Sequence, residues 1–371
     1  MTAAASLEPL AFADLPGWAE DRHAEAMAAF RLTARHIAGA APKSRTLADA
    51  AFGPAGVDGE ALARVARRLL AENPEGDAAC RRFFETSFAP FRVRPTEGRP
   101  FLTGYYEPEV EGSPVRTGRF AVPLLARPDD LVDVNDRNRP AGMDPSFAFA
   151  RRAPDGLVPY FDRAEIEDGA LAGRGLELVW LESPVDAFFI HVQGSARIRL
   201  PGRDPLRVAY DGKAGWPYTS IGRRLVERGV APAEAMTADR LRAWLEADPA
   251  AGRALMRENR SYIFFKVLDG LDPALGAVAA AGVQLTPGRS LAVDRRLHTF
   301  GTPVFLDADL PFGPGGALAP VRRLMVAQDT GSAIVGPARG DVFVGCGPEA
   351  GVLAGYVRHE PRSFVVLVPR D

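Results

Sequence analysis

Lysine is nearly missing from this chain of 371 residues: three occur, Lys43, Lys213 and Lys266, against 42 arginines. No basic run forms and the formal net charge is −2, so the cationic stripe that releases counter-ions from a phosphate backbone is absent, which excludes nucleic acid as a partner. Cysteine is limited to Cys80 and Cys346, too few for a zinc cluster or a disulfide framework, and their spacing does not say whether they meet. The five histidines (His23, His36, His191, His298, His359) contain no pair at a helical metal spacing, so no metal and no cofactor is expected. No stretch approaches the ~18 apolar residues of a membrane span. The first ten residues carry neither a basic n-region nor a continuous apolar h-region, so the chain is either cytoplasmic or its export segment lies outside it.

What is present is an ordinary globular composition, 47% hydrophobic and 25% charged, with a length that points to two domains. Gly 37 and Pro 32 predict many turns and short strands. The first hundred residues read as helical. Ala26, Met27, Phe30, Ala34 and Ile37 recur at three- and four-residue steps, and Asp58 caps a second segment carrying Leu62, Val65, Leu69 and Leu70 before Asn73-Pro74. A third helix starts near Pro74 and carries Phe83 and Phe84. From about Phe101 the texture changes to short Val, Ile, Phe and Leu runs bounded by turn residues, which predicts strands at 187–200, 261–268, 290–294, 303–306, 323–328, 341–344 and 363–368. Ser220 and Thr237 cap a helical interlude. No helix of useful length is expected among the last strands, which argues for a barrel of short strands over a doubly wound sheet.

Several motifs have plain readings. Gly345-Cys346-Gly347-Pro348-Glu349-Ala350 follows a strand and fits G-x-G-x-x-A, yet too little chain remains after it to build a dinucleotide-binding sheet, so it reads as a glycine-rich turn. Tyr218-Thr219-Ser220-Ile221-Gly222 lacks the first glycine of a nucleophile elbow. Carboxylates on strands remain. Asp294 and Asp329 end apolar runs and Asp341 opens one; burial beside such neighbours raises a carboxyl pKa and keeps a proton available near neutral pH. Taken singly, each reads more readily as a turn aspartate, and the trio is more suggestive than any member.

The run from Leu324 through Asp329-Thr330-Gly331 to Ile334, then Gly340-Asp341-Val342-Phe343 and Gly345 to Gly351, together with Asp294 and Gly301-Thr302-Pro303, resembles the three-aspartate domain of the membrane-bound lytic murein transglycosylase A family. Gly104-Tyr105-Tyr106-Glu107-Pro108, Val192-Gln193-Gly194-Ser195-Ala196, Asp211 to Gly215 with Tyr218 to Gly222, and Asn259 to Lys266 match that family in the same order. The resemblance covers about residues 100–360 and implies a mainly β protein with N-terminal helices (α+β), a double-psi β-barrel interrupted by an inserted β domain. The expected division is 1–108 with 254–371, and an insert of 109–253 forming the other wall of a glycan groove. The implied activity is cleavage of the bond between N-acetylmuramic acid and N-acetylglucosamine in peptidoglycan, leaving a 1,6-anhydromuramoyl end, in the periplasm at the outer membrane. The implied catalytic acid is Asp341, with Asp329 and Asp294 in support. Arg339-Gly340 departs from a His-Phe pair that other members place before this aspartate.

The candidates for glycan contact are Tyr105, Tyr106, Gln193, Gly194, Ser195, Lys213, Trp216 and Tyr218; the alternatives are a core role for the aromatics and a turn-shaping role for Gly104, Gly194 and Ser195. Two rival functions stand beside the enzyme: a non-catalytic, expansin-like glycan-binding module, and a two-carboxylate hydrolase in which Asp329 or Asp294 activates water.

Overall fold

The structure, a computed structural model, describes residues 4–49 and 53–370. It is a mixed α+β fold dominated by sheets, and it divides into two compact units, residues 1–106 with 272–371, and residues 107–271. Residues 254–271, assigned from the sequence to the outer unit, go with the inserted one. The reason is pairing: the strand Ile263–Leu268 lies antiparallel to Leu206–Lys213.

In the discontinuous unit the three N-terminal helices are His23–Ile37, Gly59–Glu72 and Gly76–Ser87. Asp58 caps the second by accepting from the Ala61 amide at 2.8 Å, and Asn73 ends it in the left-handed conformation at φ 41°. Their apolar stripes, with Met27, Phe30, Leu69 and Phe84, pack on Phe305, Leu324, Val326 and Val365 of the sheet beneath. The helical reading of the first hundred residues was incomplete, because Ala5–Pro9 and Phe88–Pro95 are strands paired antiparallel with each other. Both are short and mix apolar with charged residues, so alternation over so few positions is a weak signal.

The sheet of this unit has nine strands in the order Ala5–Pro9, Phe88–Pro95, Ser363–Pro369, Pro303–Leu310, Ala319–Asp329, Ser290–Val293, Arg339–Cys346, Phe101–Glu107, Arg358–His359. A second core, separate from the one under the N-terminal helices, joins Leu7 from the first strand and Leu102 from the eighth to Leu291, Met325, Val342 and Val366. One strand order matters for function. Ser290–Val293 runs parallel to Ala319–Asp329 and antiparallel to Arg339–Cys346, so it sits between the two aspartate strands.

A ten-residue helix, Gly347–Tyr356, follows the last of these strands, where the sequence reading expected a turn. Pro348 stands in its first turn, where a missing N–H costs nothing. Gly347 opens it at φ 82°, whereas Gly351 serves close contact: a Cβ there would lie 2.9 Å from the Tyr106 ring.

The inserted unit has a six-stranded sheet in the order Ile263–Leu268, Leu206–Lys213, Ser195–Arg199, Glu109–Ser113, Glu177–Leu181, Val122–Leu125, and a three-stranded one of Gly156–Val158, Phe149–Ala153 and Leu131–Asp133. The strand expected over 187–200 is a helix, Pro184–Gln193, followed by a shorter strand, Ser195–Arg199. Ser183 caps the helix and Gly194 ends it at φ 79°, so the cap and stop signals outweigh the β-branched and aromatic content between them. Asp248 ends the helix Ala238–Ala247 and caps a further helix, Pro249–Arg257, by accepting from the Ala250 and Ala251 amides.

Candidate active site

Register brings two of the three aspartates together. Ala292 is the partner of Asp341 across one ladder and of Asp329 across the other. Residues directly opposite share a face of the sheet, so both carboxylates flank Ala292 on one side, about 10 Å apart by strand spacing. The preceding residue, Gln328, points the other way. Its amide donates to Ala29 O at 3.0 Å and Thr33 Oγ1 at 2.8 Å on the first helix, and its Oε1 accepts from Ser290, which fixes the strand that carries Asp329.

The strand Phe101–Glu107 supplies the neighbours. Period-two alternation puts Thr103 and Tyr105 on one face. Thr103 Oγ1 donates to Asp341 Oδ1 at 2.5 Å and accepts from the Arg339 guanidinium at 2.7 Å. Tyr105 OH donates to Asp329 Oδ2 at 3.0 Å, and its ring lies 5.3 Å from that of Phe343. Gly104 and Tyr106 face the opposite way, against the helix Gly347–Tyr356.

Occupancy separates the three carboxylates. Asp294 accepts from the Arg296 amide, from both Nε and Nη2 of that guanidinium, and from the Gly336 amide, all at 3.0 to 3.1 Å. Burial alone would raise its pKa, but these donors prevail and hold it below the usual carboxylate value. It is an anchor for the loop between Asp329 and Asp341. Asp329 has both oxygens engaged, Oδ1 by the Ala280 amide at 3.1 Å and Oδ2 by Tyr105; burial nevertheless raises its pKa. Asp341 alone has an oxygen, Oδ2, with no hydrogen-bond partner among the described residues, and the residue is only half-buried. Burial pushes its pKa up to about 6, with Asp329 adding to the rise and the Thr103 hydrogen bond and Arg339 charge opposing it. Burial and the charges of Asp329 and Asp341 carry the Tyr105 phenol well above its ordinary value, so it stays a donor.

Gly104 is required by closeness, not by backbone angle. A Cβ there would meet Ala354 Cα at 3.0 Å and its carbonyl at 3.1 Å. Gly104→Ala is therefore expected to lower stability by about 1 to 3 kcal/mol through overpacking and to displace Thr103 and Tyr105 with it. Urea unfolding measures the first effect; an unchanged midpoint would show that the helix yields freely.

The other candidates lie in the inserted unit. Gln193 ends its helix, Gly194 is the left-handed cap, and Ser195 is buried opposite Ala209. The Tyr210 amide donates to Gly194 O at 2.7 Å, three residues before Lys213, which ends the strand opposite Ile263. Trp216 is more engaged than a free stacking platform: its Nε1 donates to Tyr160 O at 2.8 Å, the Arg260 guanidinium lies 3.2 Å from its ring centre, and Phe147 meets it edge-on at 4.9 Å. Tyr218 is exposed.

Sequence reasoning missed the Thr103 and Arg339 contacts and a buried brace in the inserted unit. Thr103 was detectable as the residue two before Tyr105 on the same face. The brace is Arg163, which donates to Asn259 O at 2.9 Å and Ser261 O at 2.7 Å and meets His191 Nδ1 at 3.1 Å. Burial and that neighbouring charge hold His191 well below its ordinary pKa, hence neutral. Asn259 Oδ1 accepts from the Thr219 amide at 3.1 Å, so one buried arginine ties the motif from Asn259 directly and the one from Tyr218 through Asn259. Glu107 of the Tyr-Tyr motif is likewise structural, buried and paired with Arg197 at 3.0 Å and Arg207 at 2.9 Å. Cys80 and Cys346 form no disulfide.

A family model described as the MltA specific insert domain matches residues 101–266, and one described as the 3D domain matches residues 289–367. Over 271 residues the chain is 33% identical to a membrane-bound lytic murein transglycosylase A of Vibrio cholerae, covering 72% of this chain and 65% of that protein. Against the Escherichia coli K12 protein of the same name it is 34% identical over 272 residues, 66% of that protein. The match therefore spans about two thirds of the length of these relatives. Among solved structures, a membrane-bound lytic murein transglycosylase from Agrobacterium tumefaciens is similar with a TM-score of 0.88 at 41% identity, covering 98% of each chain. The Escherichia coli MltA structure with bound chitohexaose is similar with a TM-score of 0.69 at 27% identity, covering 100% of this chain and 96% of that one. With two matching domain models and a relative 41% identical over 98% of its length, the chain belongs to the membrane-bound lytic murein transglycosylase A family.

Proposed function

We propose that this protein is a lytic transglycosylase of peptidoglycan, cleaving the β-1,4 bond between N-acetylmuramic acid and N-acetylglucosamine in the periplasm with Asp341 as acid and then base. The observation that carries the reading is the unpartnered Oδ2 of a half-buried carboxyl whose pKa is pushed up to about 6. A proton held there passes to the bridging oxygen as positive charge develops at the muramoyl carbon. The resulting carboxylate then takes the proton of the muramoyl C6 hydroxyl as that oxygen closes on C1. An intramolecular hydroxyl has a high effective concentration, so no second carboxylate need activate water. Asp329 and Asp294 support the site without reacting, since their oxygens are already engaged.

On this reading the nine-stranded sheet is the double-psi β-barrel of the family. Convergence of side chains from its first and eighth strands in one core is consistent with that closure. Tyr105, Tyr106, Gln193, Gly194, Ser195, Lys213, Trp216 and Tyr218 are the proposed glycan contacts. The chitohexaose bound by the Escherichia coli relative supports a polymeric N-acetylated sugar as the ligand class.

The product decides the matter. Digestion of purified peptidoglycan should release fragments ending in 1,6-anhydromuramic acid, with few ends reducible by borohydride. In oxygen-18 water the new muramoyl end should stay unlabelled, because no water enters the bond. Labelled, reducible ends would instead make the protein a hydrolase; absence of any new ends would make it a binding module.

A further inference from the structure

Outside the aspartate site, the strand Ala319–Asp329 borders a cavity of about 450 Å³ in the discontinuous unit, lined by Arg22, Arg289, Arg322 and Arg323 with Glu20 and Asp21. Four arginines thus line it with two acidic residues. The buried Arg289 engages two acids, Asp21 at 2.9 Å and Glu25 at 3.0 Å, and also donates to Leu324 O and Arg22 O. Arg22 shares Glu25, and Arg322 reaches Asp307 at 3.5 Å. Arg323 has neither a hydrogen bond nor an ion pair among the described residues, although it is half-buried.

Two glycines leave room for these side chains. A Cβ on Gly17, at φ 75°, would lie 2.5 Å from Arg322 Cδ, and one on Gly288, at φ 67°, would lie 3.0 Å from an Arg323 nitrogen. Positioning two arginines this way next to a third, with one left unpaired, costs desolvation and like-charge repulsion that Asp21 and Glu25 offset only in part. Burial and the nearby Arg289 charge both disfavour the charged form of Arg323.

We propose that this cavity binds a small oxyanion, a phosphate or carboxylate group, with Arg323 as its main contact and Arg322 and Arg22 beside it. The planar guanidinium fork matches both groups in a bidentate arrangement. The inference does not depend on the chemistry of Asp341, since Arg323 lies six residues before Asp329 on the strand and touches none of the aspartates.

The test is thermal unfolding of the full chain at constant ionic strength, with sodium chloride exchanged for inorganic phosphate in one arm and for succinate in the other. A ligand that binds only the folded state raises the melting temperature with its concentration. The expected result is a rise beyond the chloride control in at least one arm, which identifies the favoured anion. In Arg323→Gln, affinity should fall about tenfold or more, the worth of one charge-assisted pair, while peptidoglycan cleavage stays at the wild-type level. Arg322→Gln, which keeps Arg323, should weaken the shift without removing it, and reads the same site if the first variant is poorly folded. No rise over chloride in either arm, or an undiminished rise in both folded variants, would overturn the proposal.

Discussion

Asp341→Asn is expected to abolish cleavage and, above pH 7, to make the protein more stable than the wild type. The two effects share one cause. Burial drives the carboxyl pKa from 3.8 up to about 6, so the folded protein keeps a proton for the glycosidic oxygen at the expense of tolerating a charge poorly. Asn keeps the shape and can still accept the Thr103 hydrogen bond, but it neither gives nor takes a proton. Losing a general acid costs about 10² to 10⁴-fold, and here the same group also serves as base, so turnover should fall to background. For stability, the pKa is raised on folding. Below the unfolded value of 3.8 both states are protonated and the group contributes nothing; between 3.8 and about 6 the unfolded chain ionises first and native stability falls; above 6 the penalty is complete. Its size is about 2 to 3 kcal/mol. Urea unfolding should therefore give the variant a higher midpoint at pH 8 and an equal one at pH 3.5. Near wild-type turnover in the folded variant would move the catalytic role elsewhere, and a pH-independent stability difference would show that the carboxyl is not strained by burial.

How the site became readable differs from residue to residue. Asp294, Asp329 and Asp341 were visible as acids at the ends of apolar runs, because strand hydrophobicity is a local property and a charged residue beside it stands out. The first two helices after residue 20 were equally visible from their apolar spacing and from Asp58. What stayed hidden was register. Nothing in Ser290-Leu291-Ala292-Val293 says that Ala292 lies between Asp329 and Asp341, since that pairing joins segments about forty residues apart in opposite senses on the two sides. The distinction among the aspartates was hidden for a related reason. The donors that occupy Asp329 and Asp294 include the Ala280 and Gly336 amides and the distant Tyr105 hydroxyl; backbone donors carry no residue signature, and of the donors to Asp294 only the Arg296 guanidinium stands close by in the sequence as a side chain. Two helices were misread for a third reason: Phe188, Ile190 and Val192 look like strand residues, and Gly347, Gly351 and Gly355 look like turn residues. Capping by Ser183 in one case and packing of Gly351 under Tyr106 in the other overrode propensity.

The remaining expected result concerns the departure at Arg339. Thr103→Val and Arg339→Ala should each move the alkaline limb of kcat/KM to higher pH, because both groups stabilise the ionised form of Asp341. The acid must be protonated in the free enzyme, so kcat/KM should fall as pH rises through the Asp341 value of about 6. The other charged and titratable groups facing Asp341 are Asp329 across Ala292, which raises its pKa, and Tyr105 beside Thr103; neither variant alters them. Valine removes the hydrogen bond that favours the carboxylate, worth about 1.4 kcal/mol for a charged acceptor, which is about one pH unit. Removing Arg339 deletes an opposing charge and also frees the Thr103 oxygen that it holds at 2.7 Å, so its shift has the same sign. Since part of the arginine's effect runs through Thr103, the double variant should shift by less than the sum of the two. Arg339→Lys keeps the charge but loses the fork that reaches Thr103 and the Gly340 carbonyl, and should fall between wild type and alanine. A limb that stays in place while kcat drops would make Thr103 and Arg339 supports of the strand pair only; strictly additive shifts would mean that the arginine acts on Asp341 directly through space.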